Sequence, residues 1–202
     1  MFIETEEDLR AIYGHPKETV VKKMLNKLDH HCRHFISLSP FLVMATSRID
    51  GHADASPKGD RPGFVEVQDD RTLLIPDRIG NNIADSLSNI IQNPEIGLIF
   101  FIPGIRETLR VNGTCQISAD EKLLDFFSEQ GKPPRSVISV EVREAYMHCG
   151  KSIIRSELWT DANKISQKDF PTLGKILADQ ISELDAESTD KGLENSYKNR
   201  LY

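Results

Sequence analysis

Apolar side chains are spaced at helical intervals near the N-terminus, alternate in the middle of the chain and return to helical spacing at the end. Thr5 stands as a helix N-cap ahead of Leu9, Ile12 and Tyr13. Pro16 suits a first helical position, and Val20, Val21, Met24, Leu25 and Leu28 then predict an amphipathic helix. A third helical piece over Cys32–Leu38 is cut by Pro40. From Phe41 the pattern is strand-like. Phe41–Ser47 and His52–Ser56 predict strands around the turn Ile49-Asp50-Gly51, and Phe64–Val67 and Thr72–Ile75 predict a second hairpin around Asp69-Asp70. Asn82–Gln92 carries Ile83, Leu87, Ile90 and Ile91 on one helical stripe that Asn93-Pro94 ends. Gly97–Ile102 reads as a buried strand, and Thr108–Ser118 as a long strand in which Gly113 marks a bulge or bend. Ala119–Glu129 predicts a helix, Ser136–Val142 a strand, and residues 166–202 a polar helical arm.

Short strands joined by hairpins, with a helix inserted among them, predict a small barrel, mainly β with α, flanked by helices. One domain is expected over residues 1–202: helices in 1–39, a barrel in 40–160 and a helical arm in 161–202. Strand and helix do not alternate regularly, and neither GxGxxG nor a P-loop occurs, so a dinucleotide fold or nucleotide hydrolase is excluded. At 202 residues the chain can bury a full core without a disulfide or metal. Its net charge of −6 disfavours nucleic acid and anionic membrane as partners. The longest apolar run is far too short to span a bilayer. Three cysteines without a CxxC pair, and an N-terminus without a signal pattern, suit a cytoplasmic protein.

An acidic chain must bind any phosphate through a few aimed donors, and four segments offer them. Ser56-Pro57-Lys58-Gly59-Asp60 follows a strand and brings together a hydroxyl, a cation and backbone N–H groups. Pro76-Asp77-Arg78-Ile79-Gly80-Asn81-Asn82 leads into a helix whose N-terminus suits an anion, with Arg78 as a bidentate donor and Asn82 as a candidate cap. Arg106, Thr108 and Arg110 share one strand face by their even spacing. Cys149-Gly150-Lys151-Ser152 runs into Arg155-Ser156-Glu157-Leu158-Trp159, where tryptophan and arginine can flank a planar ring. Read alone, each segment suits a plainer role at least as well: a surface turn, a capped helix with Arg78 paired to Asp77 or Asp85, exposed strand arginines, or a core tryptophan. His30 and His34 stand four apart, but no further ligands accompany them, so no metal is expected. His148-Cys149 lacks a neighbouring base and orienting group, and no GxSxG elbow occurs.

In order, these segments resemble the FMN-binding split-barrel superfamily of pyridoxamine 5′-phosphate oxidases and flavin reductases. Asn93-Pro94, the run from Gly97 to Gly104, Glu107-Thr-Leu-Arg-Val-Asn-Gly, His148-Cys-Gly-Lys-Ser and Arg155-Ser-Glu-Leu-Trp are similar to its bacterial FMN-dependent, oxidase-class subfamily. The resemblance implies a six-stranded antiparallel split β-barrel of Greek-key type, and a homodimer with two FMN sites across its interface. It places Arg78 at the phosphate, with Asn81 and Asn82 beside it, and Ser56 and Lys58 along the ribityl chain and ring. Thr108 and Arg110 then contact the cofactor from the same region, while Lys151, Arg155, Ser156 and Trp159 reach it from the partner subunit. Pyridoxamine 5′-phosphate oxidases carry Arg-x-His near the C-terminus, where this chain reads Arg155-Ser156-Glu157, which argues against vitamin B6 oxidation. The expected function is an FMN-dependent oxidoreductase acting on a small molecule. The alternatives are a non-catalytic flavin- or tetrapyrrole-binding protein, or a deazaflavin in place of FMN.

Overall fold

The computed structural model describes residues 2–202. Helix α1 (Glu6–Tyr13) starts at Thr5, whose hydroxyl accepts the Asp8 N–H at 3.1 Å. The predicted long second helix is corrected to a single turn, α2 (Glu18–Lys22), with Val20, Val21 and Met24 exposed. Leu25 explains the stop. Its N–H and C=O both pair with Ala145 of the sheet, at 2.9 and 2.8 Å, which draws the chain into an extended form. Leu28 then enters the core, and Asp29 caps α3 (His30–Leu38) by accepting the Cys32 N–H at 2.8 Å.

The strands follow as β1 (Phe41–Ser47), β2 (Ala53–Gly59), the two-residue β3 (Glu66–Val67) and β4 (Thr72–Asp77). After α4 (Asp85–Gln92) come β5 (Glu95–Phe101), β6 (Thr108–Ser118), α5 (Glu121–Phe126) and β7 (Ser136–His148). The chain ends in α6 (Lys151–Ser156), a 3₁₀ turn, and the paired helices α7 (Leu173–Gln180) and α8 (Ala186–Asn199). All strands join one antiparallel sheet in the order β2-β1-β5-β6-β7-β4-β3. The expected six-stranded barrel is corrected to an open sheet of seven strands, because Glu66–Val67 adds a short edge to β4. Among the described residues no helix is long and apolar enough to cross a membrane.

One face of the sheet holds the core. Leu42 and Met44 of β1, Leu98 and Phe100 of β5, Leu109 and Val111 of β6 and Ile138 and Val140 of β7 meet Ile36 and Ile90 from the helices. Gly113 marks the bulge the sequence predicts, where the β6–β7 register shifts between Asn112 and Gly113. A Cβ there would lie 2.0 Å from the Glu141 carbonyl oxygen, so only glycine fits.

β2 and β4 do not pair as strands, yet the sheet curls until their side chains meet. Lys58 of β2 bonds Asp77 of β4 at 2.9 Å, and Arg78 bonds Asp60 at 2.9 Å. The space between these strands is a cleft.

Candidate functional site

The cleft between β2 and β4 encloses about 940 Å³ and continues over residues 79–84 to the first turn of α4. Its shape follows from local chemistry. Ser56-Pro57-Lys58-Gly59 lies inside β2, where the sequence predicts a turn after a shorter strand; Pro57 is tolerated because β2 is an edge strand. Asn81 Oδ1 accepts the Ile83 N–H at 3.1 Å, and Asn82 and Ala84 both adopt left-handed backbone, with φ of 63° and 58°. That costs about 1 kcal/mol for alanine. α4 therefore starts at Asp85, and the expected cap at Asn82 is corrected: the cap position is Ala84, which has no side chain to accept a first-turn N–H. The helix is pinned over the sheet by Asn89 to Thr46 (3.0 Å), Asn93 to Ser47 (3.1 Å) and Ser86 to Asp54 (2.5 Å).

Two ion pairs cross the cleft. Lys58 and Asp77 form the first, both largely buried. In the second, Arg78 gives its Nε to Asp60 and its Nη1 to the Phe127 carbonyl at 2.7 Å. Tyr202 closes over this pair: its hydroxyl donates to Asp60 Oδ1 at 2.6 Å and its ring lies 5.3 Å from the guanidinium carbon. Burial pushes the Asp60 carboxyl upward, but hydrogen bonds from Tyr202, the Arg61 amide and Arg78 outweigh it and hold the group below its ordinary range. The same contact with Asp60 pushes the Tyr202 phenol up. Part of the Arg78 donor fork remains unused.

Ser136 also lines the cleft. Its hydroxyl is buried, with the residue 9% exposed, and it has no hydrogen-bond partner. Nothing in the sequence singles it out, or its neighbour Arg135, whose Nη1 donates to Asn82 Oδ1 at 2.6 Å.

The structure divides the sequence-predicted residues into two groups. Ser56, Lys58, Arg78, Asn81 and Asn82 line the β2–β4 cleft together. Thr108 and Arg110 instead line a separate hollow of about 340 Å³ on the outer face of β1, β5 and β6. The expectation that Arg110 shares a pocket with Arg78 is therefore corrected for the single chain; the Arg110 guanidinium lies 5.4 Å from the Tyr146 ring. The start of α6 borders this hollow through Ser152. Lys151, Arg155 and Ser156 lie along α6, and the Trp159 indole donates to the Ile105 carbonyl at 2.8 Å. Gly150 lets α6 approach, since a Cβ there would come within 2.7 Å of Arg106. The thiols of Cys32 and Cys115 are buried, which pushes both up to about 11, and Cys149 is exposed. Among the described residues no three His, Cys, Asp or Glu side chains gather as a metal site.

A curled antiparallel sheet with flanking helices and a polar cleft between its approaching ends is the frame of the flavin-binding split barrels. The sequence profile of the pyridoxamine 5′-phosphate oxidase family matches residues 28–149, and the chain belongs to that family. No curated protein matches the sequence. Among solved structures, a histidine-to-alanine variant of HupZ from Group A Streptococcus is 18% identical over 59% of this chain and 98% of its own, with a TM-score of 0.50. A candidate pyridoxamine 5′-phosphate oxidase from Lactobacillus delbrueckii is 19% identical over 60% of this chain and 95% of its own, also at 0.50. At such identities these structures speak to the fold alone.

Proposed function

We propose that the protein is an FMN-dependent oxidoreductase whose flavin lies in the β2–β4 cleft and is enclosed by a second copy of the chain. The observation that carries this reading is the cleft itself, in a chain of this family: roomy enough for a flavin, lined by mixed polar and apolar groups, and holding an unpartnered hydroxyl and an uncapped helix start. Bound FMN would supply the redox chemistry, accepting and releasing a hydride or electrons. Ser56 and Lys58 would border the ribityl chain and ring, with Lys58 held in place by Asp77. Arg78, Asn81 and Asn82 would stand at the polar end of the ligand. Thr108, Arg110, Lys151, Arg155, Ser156 and Trp159 lie away from the cleft of their own chain, and the partner subunit would bring them to it.

The test is the absorption spectrum of protein purified without added cofactor, with mass spectrometry of what heat releases. A flavin spectrum with released FMN, bleached by a reduced nicotinamide and restored by an oxidised acceptor, is the expected result. A Soret band, a released deazaflavin, or a flavin that no donor reduces would overturn the proposal.

A further inference from the structure

We propose that Ser136, the first residue of β7, and Arg135 just before it clamp the anionic tail of the cleft's ligand against the first turn of α4, which for a flavin is the phosphate monoester. The identity of the tail rests on the FMN reading above; the placement of the clamp rests on three independent observations.

The first is the Ser136 hydroxyl. A buried hydroxyl without a partner costs about 1–3 kcal/mol, and native structures leave very few. Ser136 is directly opposite Asp77 in the β4–β7 ladder, so both side chains stand on the same face. Asp77 is already engaged by Lys58. Asp77 Oδ2 does not take the hydroxyl either, so Ser136 Oγ stays unbonded just beneath the cleft surface, where a small side-chain rotation would bring it to a ligand oxygen.

The second is charge. Three cations line the cleft: Lys58, Arg78 and Arg135. Lys58 is paired with Asp77 and Arg78 with Asp60. Arg135 makes no ion pair among the described residues; its side chain donates to the neutral Asn82 amide. Among the described residues Asp54 and Asp85 also line the cleft without an ion pair, so Arg135 is the one lining cation that no carboxylate holds and a phosphate could claim.

The third is the start of α4. The Arg135–Asn82 bond ties β7 to the left-handed loop that leads into this helix. Ala84 leaves the first-turn N–H groups without a side-chain cap, and residues 84–87 line the same cleft. Free N–H groups at a helix start favour an oxyanion. Hydroxyl and guanidinium from the start of β7 and the first turn of α4 line one cavity, which Asp54, Asp60, Asp77 and Asp85 also line.

The experiment measures FMN and riboflavin dissociation constants by flavin fluorescence for the wild type, Arg135→Ala and Ser136→Ala, with the melting temperature of each ligand-free protein. Arg135→Ala should weaken FMN about 10- to 100-fold and Ser136→Ala about 5- to 20-fold, with riboflavin within about twofold for both. Ligand-free Ser136→Ala should melt at or above the wild-type temperature, since it removes an unbonded hydroxyl. If FMN binds both variants as it binds the wild type, or if Ser136→Ala melts lower, the clamp is wrong while the flavin reading stands. If the wild type binds neither flavin, the flavin reading falls, and the clamp is tested alone with pyrophosphate. Pyrophosphate raising the melting temperature of the wild type but not of Arg135→Ala would support it, and no effect on the wild type would overturn it.

Discussion

At the scale of single residues the cleft is organised by carboxylates. Asp60 is 5% exposed in its side chain and survives as an anion because Arg78, the Arg61 amide and Tyr202 all donate to it. Tyr202→Phe removes one of these donors, at a cost of about 0.5–1.5 kcal/mol near neutral pH. The pH dependence has a definite sign. A carboxyl depressed in the folded state stabilises above its unfolded value, and that stability is lost as pH falls through the folded value. A raised phenol stabilises below its unfolded value and loses that contribution as pH rises through the folded one. The stability gap between wild type and Tyr202→Phe should therefore be widest between about pH 4 and 10, shrinking at both ends. Urea unfolding at acid, neutral and alkaline pH measures it; a gap that does not vary with pH would show that Tyr202 acts by packing alone. None of this was legible in the sequence, because Asp60 and Tyr202 are 142 positions apart.

At the scale of elements, periodicity carried far where one face of a strand is buried. The predicted ends of β1 and β6 coincide with the observed ones, because a period of two against a core leaves no other register. Gly113 was legible as a break for the same reason: a glycine inside such a pattern has no side chain to bury. Its replacement by alanine should cost more than about 2 kcal/mol, since the added carbon overlaps the Glu141 carbonyl and the bulged β6–β7 pair must shift. A urea midpoint unchanged in Gly113→Ala would refute that packing. Periodicity failed where backbone pairing or unusual dihedrals decide. The apolar spacing after Pro16 is helical, but the Leu25–Ala145 bridge takes those residues out of a helix. The start of α4 moved from Asn82 to Asp85 because left-handed residues at 82 and 84 intervene, and composition alone does not reveal them.

At the scale of the whole molecule, the outer sheet face sets the question of assembly. Val43, Ile99 and Phe101 line the hollow that holds Thr108 and Arg110, and Phe41, 39% exposed, continues the apolar surface along β1. α1 and α2 bury no residue in their own chain. Motif order in the sequence brought the two groups of site residues into one reading, yet a single chain keeps them on separate surfaces. A homodimer accounts for both facts: it would cover the apolar face and carry one subunit's Arg110 and α6 toward the other's cleft. The protein should sediment as a dimer at micromolar concentration. Ile99→Asp places a charge in the centre of that face without touching the core side of β5, and should yield a folded monomer with unchanged helix and strand content. That monomer should also bind FMN at least tenfold more weakly, because half of the donors would be missing. A wild type that sediments as a monomer yet binds FMN tightly would show that one chain completes its own site, and would remove Thr108, Arg110 and Trp159 from it.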